Sequence, residues 1–388
     1  MYLTAYLLKI GGIKPRIGQS LMNKSLISAT LCALSATKIY AGGMDLSRQS
    51  IAPLFEQGTY LELSAYALGP KVSGKLTDSI QSGNVANRHY FFGGAYKQDV
   101  SNSTSMAIII DQPFGADIHY PSSTTYPLSG TRASVDTLAI SGIIRYKINT
   151  PFSVYGGLRN VTSRGDVTVH QRSNNLLYTM TTDTQNDWGY LLGAAYDIPE
   201  IAFRASLTYH SAIKVDFESK ENLVSSSFAK ETSFNVDMPK SVNFDFQTGI
   251  TQSTLLMFSA RWVEWKNTKI TPELFTQFVN AGNNLVGFRE NTITYSLGLG
   301  QKLTDTLTGL LSISYEKPSE NLVSNLSPTD GFTSLTAGLK YQATKNTAIT
   351  TGVSYTWIGE AKANLAGNEV TFEDNHSVNF GIKLSHHF

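Results

Sequence analysis

From Tyr60 onward, apolar and polar residues alternate along the chain with a period of two. Ile293, Tyr295, Leu297 and Leu299 fall on one face of residues 292–299. Ile349, Val353, Tyr355 and Trp357 do the same over 349–357, with Thr350, Gly352, Ser354 and Thr356 opposite. Val242, Phe244 and Phe246 alternate with Asn243, Asp245 and Gln247. Strict alternation is the mark of a strand with one apolar and one polar face. Fourteen such segments are predicted, at about 59–69, 88–98, 104–119, 133–148, 151–169, 187–197, 201–213, 241–250, 254–265, 291–302, 306–317, 332–343, 346–358 and 376–388.

The connections carry as much information as the strands. Residues 99–103, 149–150, 198–200, 251–253, 303–305 and 344–345 are short turns. Between them fall long polar links at 70–87, 121–132, 170–186, 214–240, 266–290, 318–331 and 359–375. Short and long alternate throughout, as in an antiparallel outer-membrane barrel with short periplasmic turns and longer extracellular loops. An even strand count returns both mature termini to the periplasm. Tyr96, Tyr146, Tyr196 and Tyr341 stand just before short turns, and Tyr209, Trp262, Tyr315, Tyr355 and Trp357 near long-loop ends; these are the places of two interfacial aromatic girdles. A soluble β-sandwich or propeller also uses many strands, but does not explain the alternating loop lengths.

Composition agrees. Hydrophobic residues make up 41% of the 388 and charged residues only 16%, against about 25% charged in a soluble domain. No stretch after residue 41 is apolar enough for a transmembrane helix, so a membrane-spanning form has to be a closed barrel. The N-terminus reads as an upstream extension followed by a secretory signal peptide: Lys24 in a positive region, 26–36 apolar, and Ile39-Tyr40-Ala41 before a cleavage point at Gly42. Met22 is the expected start, and the mature chain then lacks Cys32, the sole cysteine, which suits export. Losing 1–41 removes five of the 31 Lys and Arg and leaves 26 against 30 acidic residues, a net charge of −4. No basic face is implied, so no nucleic-acid partner is expected.

One predicted strand carries its own break. In "AIIIDQPFGADIHY" (107–120) the β-branched run is interrupted by Pro113 and Gly115 and then resumes at Ile118 and Tyr120. Proline removes a ladder donor and glycine weakens a strand interior. "DQPFGADIHY" resembles the Pro-Phe-Gly segment in the third strand of the FadL/TodX-type family of outer-membrane long-chain fatty acid and hydrocarbon transporters. "DWGYLLGAAYDIPEIAFRASLTYHSAI" and "MPKSVNFDFQTGITQSTLLMFSARWVEWKN" resemble that family's Trp-Gly-Tyr strand pair and its Pro-led strand pair. The last strand, with Phe380, Gly381, Leu384 and terminal Phe388, resembles the signal read by the barrel assembly machinery. The likeness runs from about Gly58 to Phe388. It departs at the N-terminal hatch: Ile51-Ala52-Pro53 stands where the family has Asn-Pro-Ala. A short hatch over 42–58 carrying Met44, Leu46, Ile51, Pro53, Leu54 and Phe55 is expected in the lumen, ahead of a barrel over 59–388.

The resemblance implies an all-β, 14-stranded outer-membrane barrel that takes up long-chain fatty acids or similar hydrophobic compounds, as a monomer, among outer-membrane lipid and without a cofactor. It also implies that Asp111, Gln112, Pro113, Phe114, Gly115 and Ala116 form an inward kink serving as a lateral gate. The alternative of a rim bulge stays open. Alternation alone turns Arg159, Arg204, Arg261, Lys340 and Lys383 inward, since lipid-facing cations are costly near the midplane; these are the candidates for a ligand carboxylate. In 271–288, a helix after Thr271-Pro272 sets Leu274, Phe275, Phe278 and Val279 in an outer loop, as a capture surface or as loop packing. An aromatic hydrocarbon transporter, an adhesin and a general porin remain as alternatives. His210 beside Ser211 has no acid at a triad spacing, and the seven histidines show no metal-ligand pattern, so no enzyme is expected.

Overall fold

A computed structural model describes residues 43–388 apart from Ala281; the leader assigned to 1–41 lies outside the described residues. Fourteen antiparallel strands form a ring: β1 Tyr60–Lys71, β2 His89–Asp99, β3 Thr104–Asp111 resuming as Gly115–His119, β4 Arg132–Lys147, β5 Phe152–Gln171, β6 Gln185–Ile198 and β7 Phe203–His210. They continue as β8 Ser241–Gly249, β9 Thr254–Val263, β10 Thr292–Lys302, β11 Leu307–Glu316, β12 Phe332–Gln342, β13 Thr347–Ile358 and β14 His376–His387. Each pairs with the next, and β1 closes on β14 with Tyr60 opposite His387 and Lys71 opposite His376. Closure satisfies the strand backbones without water, which is what a lipid environment demands.

Alternation sorts the faces as expected. Ile293, Tyr295, Leu297 and Leu299 on β10, and Leu311, Ile313 and Tyr315 on β11, stand on the outer surface. Their neighbours Thr294, Ser296, Ser312, Ser314 and Glu316 are buried in the lumen.

Two expected polar links are folded instead. Leu176–Thr182 continues the β5 hairpin above the barrel, and Ile213–Leu223 pairs with both it and Phe228–Met238. The signal lay in Ile213, Val215 and Phe217 and in Phe234, Val236 and Met238, all buried. Lys214, Asp216, Glu218 and Lys220 fill the alternate positions and give the stretch its loop-like charge. A further small sheet ties three long loops together: Gly74–Thr77, Ile80–Gln81, Asn368–Phe372, Ala361–Leu365 and Leu322–Val323.

Because Leu297 faces outward on β10, Leu297→Arg should destabilise the barrel in lipid by about 2–4 kcal/mol if it lies near the midplane. Ser296→Ala, one residue away on the inner face, should change it far less. Urea unfolding in vesicles checks both, and equal midpoints would contradict the facing of β10.

Candidate ligand passage

The break in β3 is a real gap in the wall. The β2–β3 ladder runs from Asp99–Ser105 to Gly94–Ile110 and stops there. Residues 89–93 of β2 continue to pair with β1 but have no rungs to β3. On its other side β3 resumes against β4, with Gly115 opposite Asp136. Between the halves, Phe114 turns to Thr137: its N–H donates to the Thr137 hydroxyl at 3.0 Å, and that hydroxyl faces the Phe114 carbonyl at 2.5 Å. Above the gap, Asn87 N–H donates to Asp117 O at 3.1 Å and His119 N–H to Val85 O at 2.7 Å.

The N-terminal segment takes over the missing pairing. Leu46 N–H donates to Pro113 O at 2.8 Å, and Gly115 N–H donates to Met44 O at 2.9 Å. Asp45 and Phe114 form an isolated antiparallel bridge. Gly115 is needed for this approach, because a Cβ there would lie 2.6 Å from Leu46 Cδ1. Ser47 donates its hydroxyl to the Asp111 carboxylate.

Charge holds the same segment to the opposite wall. Arg261 on β9 grips the Asp45 carboxylate with Nε at 2.6 Å and Nη2 at 3.2 Å, while its Nη1 donates to Ser241 and Asn243. Bidentate arginine–carboxylate pairs are among the strong polar contacts. Arg48 and Gln49 both have left-handed backbones, φ 51° and 54°, a strained turn for two side-chain-bearing residues. That turn points the Arg48 guanidinium at Ser296 on β10, 3.0 Å away, and its carbonyl at Asn243 Nδ2, 2.9 Å away. Burial pulls the Arg48 guanidinium below its ordinary value, against the opposing pull of Asp45 and Glu316. Ile51, Leu54 and Phe55 pack on Ala95, Ala107, Ile143 and Tyr155 of the lumen wall, and Phe55 lies under the Arg145 and Arg204 guanidinium groups at 4.6 and 4.4 Å.

Above this segment lies an apolar cavity. Met44 and Phe114 form part of its lining, with Phe217, Phe234 and Trp265 among the other walls; Phe114 meets Trp265 edge-on at 5.6 Å. Much of the wall comes from the two strand stretches expected as loops. A wider crevice opens between the outer loops, lined by Phe275, Val279, Phe288 and Leu322 with Lys266, Lys269 and Arg289. Leu285 and Leu326 line both spaces. The space open to a water-sized sphere is about 1280 Å³ in the crevice and about 50 Å³ in the cavity, so it narrows sharply inward.

The predicted site residues divide between these places. All six expected gate residues lie at the break, and Ala116 also lines the cavity. The residues expected in a hatch, Met44, Leu46, Ile51, Pro53, Leu54 and Phe55, are all buried. Arg159, Arg204, Arg261, Lys340 and Lys383 all face inward, but none lines the apolar cavity. Arg204 donates to Asp197 at 2.6 Å, and Lys383 pairs with Glu62 at 3.3 Å. Lys340 is buried on β12. Arg159 lies 3.6 Å from Asp111 of the kink. Its Nε–H and Nη2–H groups donate no hydrogen bond among the described residues, and neither ring nitrogen of buried His210 has a partner among them. In the outer loop a helical turn runs through Glu273 and Leu274 into Phe275–Val279. Leu274 and Phe275 are buried, Val279 is half-buried and Phe278 is exposed; Phe275 and Val279 line the crevice, while Phe278 does not. At the C-terminus Phe380 and Leu384 face outward, and Gly381 makes room for the Tyr66 ring. Phe388 is exposed, its N–H donating to Thr59 O at 3.0 Å.

Sequence reasoning missed Glu221. Its buried carboxylate accepts the backbone N–H groups of Glu273, Leu274 and Phe275 at 2.9–3.2 Å, and the hydroxyls of Tyr178 and Thr232. A carboxylate from the outer hairpin thus caps the start of the helical turn, where free N–H groups gather. The residue is hidden in the charged run "KVDFESKENL", where nothing sets it apart from solvent-facing neighbours.

Residues 60–386 match the model of a family described as outer membrane protein transport protein (OMPP1/FadL/TodX). A FadL homologue from Pseudomonas aeruginosa is similar in structure, with a TM-score of 0.73 and 15% identity over 92% of this chain and 98% of that one. The toluene transporter TodX of P. putida gives 0.63 at 10% identity, covering 86% and 90%. TbuX, a toluene transporter of Ralstonia pickettii, gives 0.61 at 14% over the same shares. No curated protein sequence matches the chain.

Two expected outcomes test the geometry. Gly115→Val, by driving a side chain into Leu46, should expose the peptide bond after Arg48 to trypsin in the folded barrel; unchanged resistance would refute the pairing of 44–46 with the kink. Glu221→Gln should raise amide exchange at 273–275 by about tenfold, since hydrogen bonds to a charged group contribute about 1.5–3 kcal/mol. Exchange at the parent rate would mean that neighbouring packing alone holds the turn.

Proposed function

The chain belongs to the outer membrane transport protein family of FadL and TodX, and from that footing we propose that it takes up long-chain fatty acids or similar hydrophobic compounds. Molecules gather in the outer crevice, pass into the apolar cavity, and leave sideways through the gap between β2 and β3. The observation that carries this reading is the missing β2–β3 pairing beside an apolar cavity. A water-filled pore gives an acyl chain no relief from roughly 0.8 kcal/mol per exposed CH₂, whereas an apolar path with a sideways exit keeps it out of water from loops to bilayer. Residues 43–58 act as the hatch, closing the lumen below the cavity and lending the kink its hydrogen bonds.

For a fatty acid, Arg159 is the favoured carboxylate partner. It is buried, meets the Asp111 carboxylate of the kink only at 3.6 Å, and has N–H groups with no hydrogen-bond partner among the described residues. Arg261, Arg204 and Lys383 hold their carboxylates more closely, at 2.6, 2.6 and 3.3 Å. The second reading, uptake of an aromatic hydrocarbon, is favoured by a different observation: Arg164 is the one charged side chain among the described residues of the cavity lining.

In cells whose only such transporter is this chain, Pro113→Val combined with Gly115→Val should abolish uptake of oleate and toluene alike while the barrel still assembles. Full uptake by that variant would remove the lateral exit. Arg159→Gln should weaken oleate binding about tenfold or more, as loss of a charged hydrogen bond implies, and leave toluene binding unchanged. Loss of neither would move the carboxylate elsewhere, and binding of toluene alone by the parent chain would select the second reading.

A further inference from the structure

A third hollow lies on the outer flank of the barrel, away from the lumen. Its floor includes Ile293 and Tyr295, which belong to the lipid-facing row of β10, and its upper wall is built by residues 317–324. On the β10–β11 ladder Tyr295 stands opposite Tyr315 and Thr294 opposite Glu316, so Lys317 follows next to Ile293. Lys317 also continues the exposed row of Leu311, Ile313 and Tyr315. The paired tyrosines at the long-loop end mark the depth where aromatic rings meet lipid headgroups, and Lys317 sits one step above them. Arg289, which also lines the outer crevice, joins the same hollow. Among the described residues, neither Arg289 nor Lys317 has a hydrogen bond or ion pair with the chain.

Three acids also face the hollow: Glu290, Glu320 and Asp330. Asp330 is turned into its own loop, where it accepts the N–H groups of Ser319 and Glu320 and the Ser319 hydroxyl. Glu290 accepts Asn321 Nδ2 at 2.7 Å. Glu320 lies exposed on the rim. The two cations without partners are therefore the groups left to meet a ligand at headgroup level, directly above apolar side chains.

We propose that this hollow docks one phosphorylated glycolipid of the outer leaflet, with a headgroup phosphate on Arg289 and Lys317 and an acyl chain along Ile293 and Tyr295. Charge-assisted contacts to phosphate suit both cations, and basic groups beside a membrane-spanning wall are the usual chemistry of headgroup recognition. The space open to a water-sized sphere in the hollow is about 390 Å³, room for a phosphate and part of its sugar. The proposal rests on the outer-membrane placement of the barrel; it shares Arg289 with the crevice but not the lumen residues that a transported molecule would meet.

Native mass spectrometry of the full chain in detergent tests it, with bisphosphorylated lipid A, its phosphate-free analogue and inorganic phosphate as probes. Bisphosphorylated lipid A should be retained as a single adduct. The phosphate-free analogue should bind the parent chain at least about tenfold more weakly, as should lipid A on an Arg289→Gln, Lys317→Gln variant. Inorganic phosphate should not displace the lipid. Equal retention by the double variant, or of the phosphate-free analogue, would overturn the proposal, as would full displacement by inorganic phosphate, which marks a simple ion site. If the double variant fails to keep the heat-modifiable gel mobility of a folded barrel, the comparison of the two lipids on the parent chain decides the question by itself.

Discussion

In hydrocarbon, every backbone N–H and C=O has to find its partner within the protein, and this demand shapes both the barrel and its one irregular place. Around most of the ring the demand is met by neighbouring strands, and the β1–β14 seam completes it. At the β3 break it cannot be met that way, because Pro113 has no N–H to give and the ladder to β2 has ended at Ile110. The chain answers from its own N-terminal segment: Met44 and Leu46 supply the acceptor and donor that the wall lacks. A wall with a gap is thus possible only because a second piece of backbone stands inside it. The gap and the segment in the lumen are one structural feature.

Electrostatics locks that feature to the far wall. Asp45 sits between Phe114, which it bridges by backbone, and Arg261, which grips its carboxylate. Two residues on, Ser47 holds Asp111 at the start of the kink, and Arg48 reaches β10. Opposite charges buried in the lumen attract more strongly than on a surface, and although desolvation offsets much of that gain, a buried charge left without its partner is strongly destabilising. Several lumen cations that alternation turns inward are accordingly engaged with carboxylates, Arg159 at the longest distance, 3.6 Å from Asp111, and with N–H groups that lack hydrogen-bond acceptors among the described residues.

Above the lumen, the outer loops are an ordered storey. Buried alternate residues of 213–238 wall the cavity, and Glu221 from the same hairpin fixes the start of the helical turn whose Phe275 and Val279 line the crevice. The loops therefore do more than join strands: they carry most of the apolar surface through which the wide outer space narrows to the cavity.

Strand number, facing and closure were legible in the sequence, because a period of two is a local property and alternating loop lengths leave few arrangements open to it. The break at Pro113 and Gly115 was legible for the same reason, since neither residue suits a ladder interior. The inward facing of Arg159 and Arg261 followed from alternation as well. What the sequence alone left undetermined was partnership. That residues 44–46 pair with 113–115, that Arg261 answers Asp45, and that Glu221 caps a turn fifty residues away are contacts across the lumen or between loops, with no spacing to announce them. The outer strands 213–223 and 228–238 were hidden because charges on their exposed face imitate a polar loop, and only burial against the neighbouring hairpin shows which face matters. Local periodicity determined the wall and the position of its break; tertiary structure decided what fills the opening and where the cavity lies, because those depend on which distant groups meet.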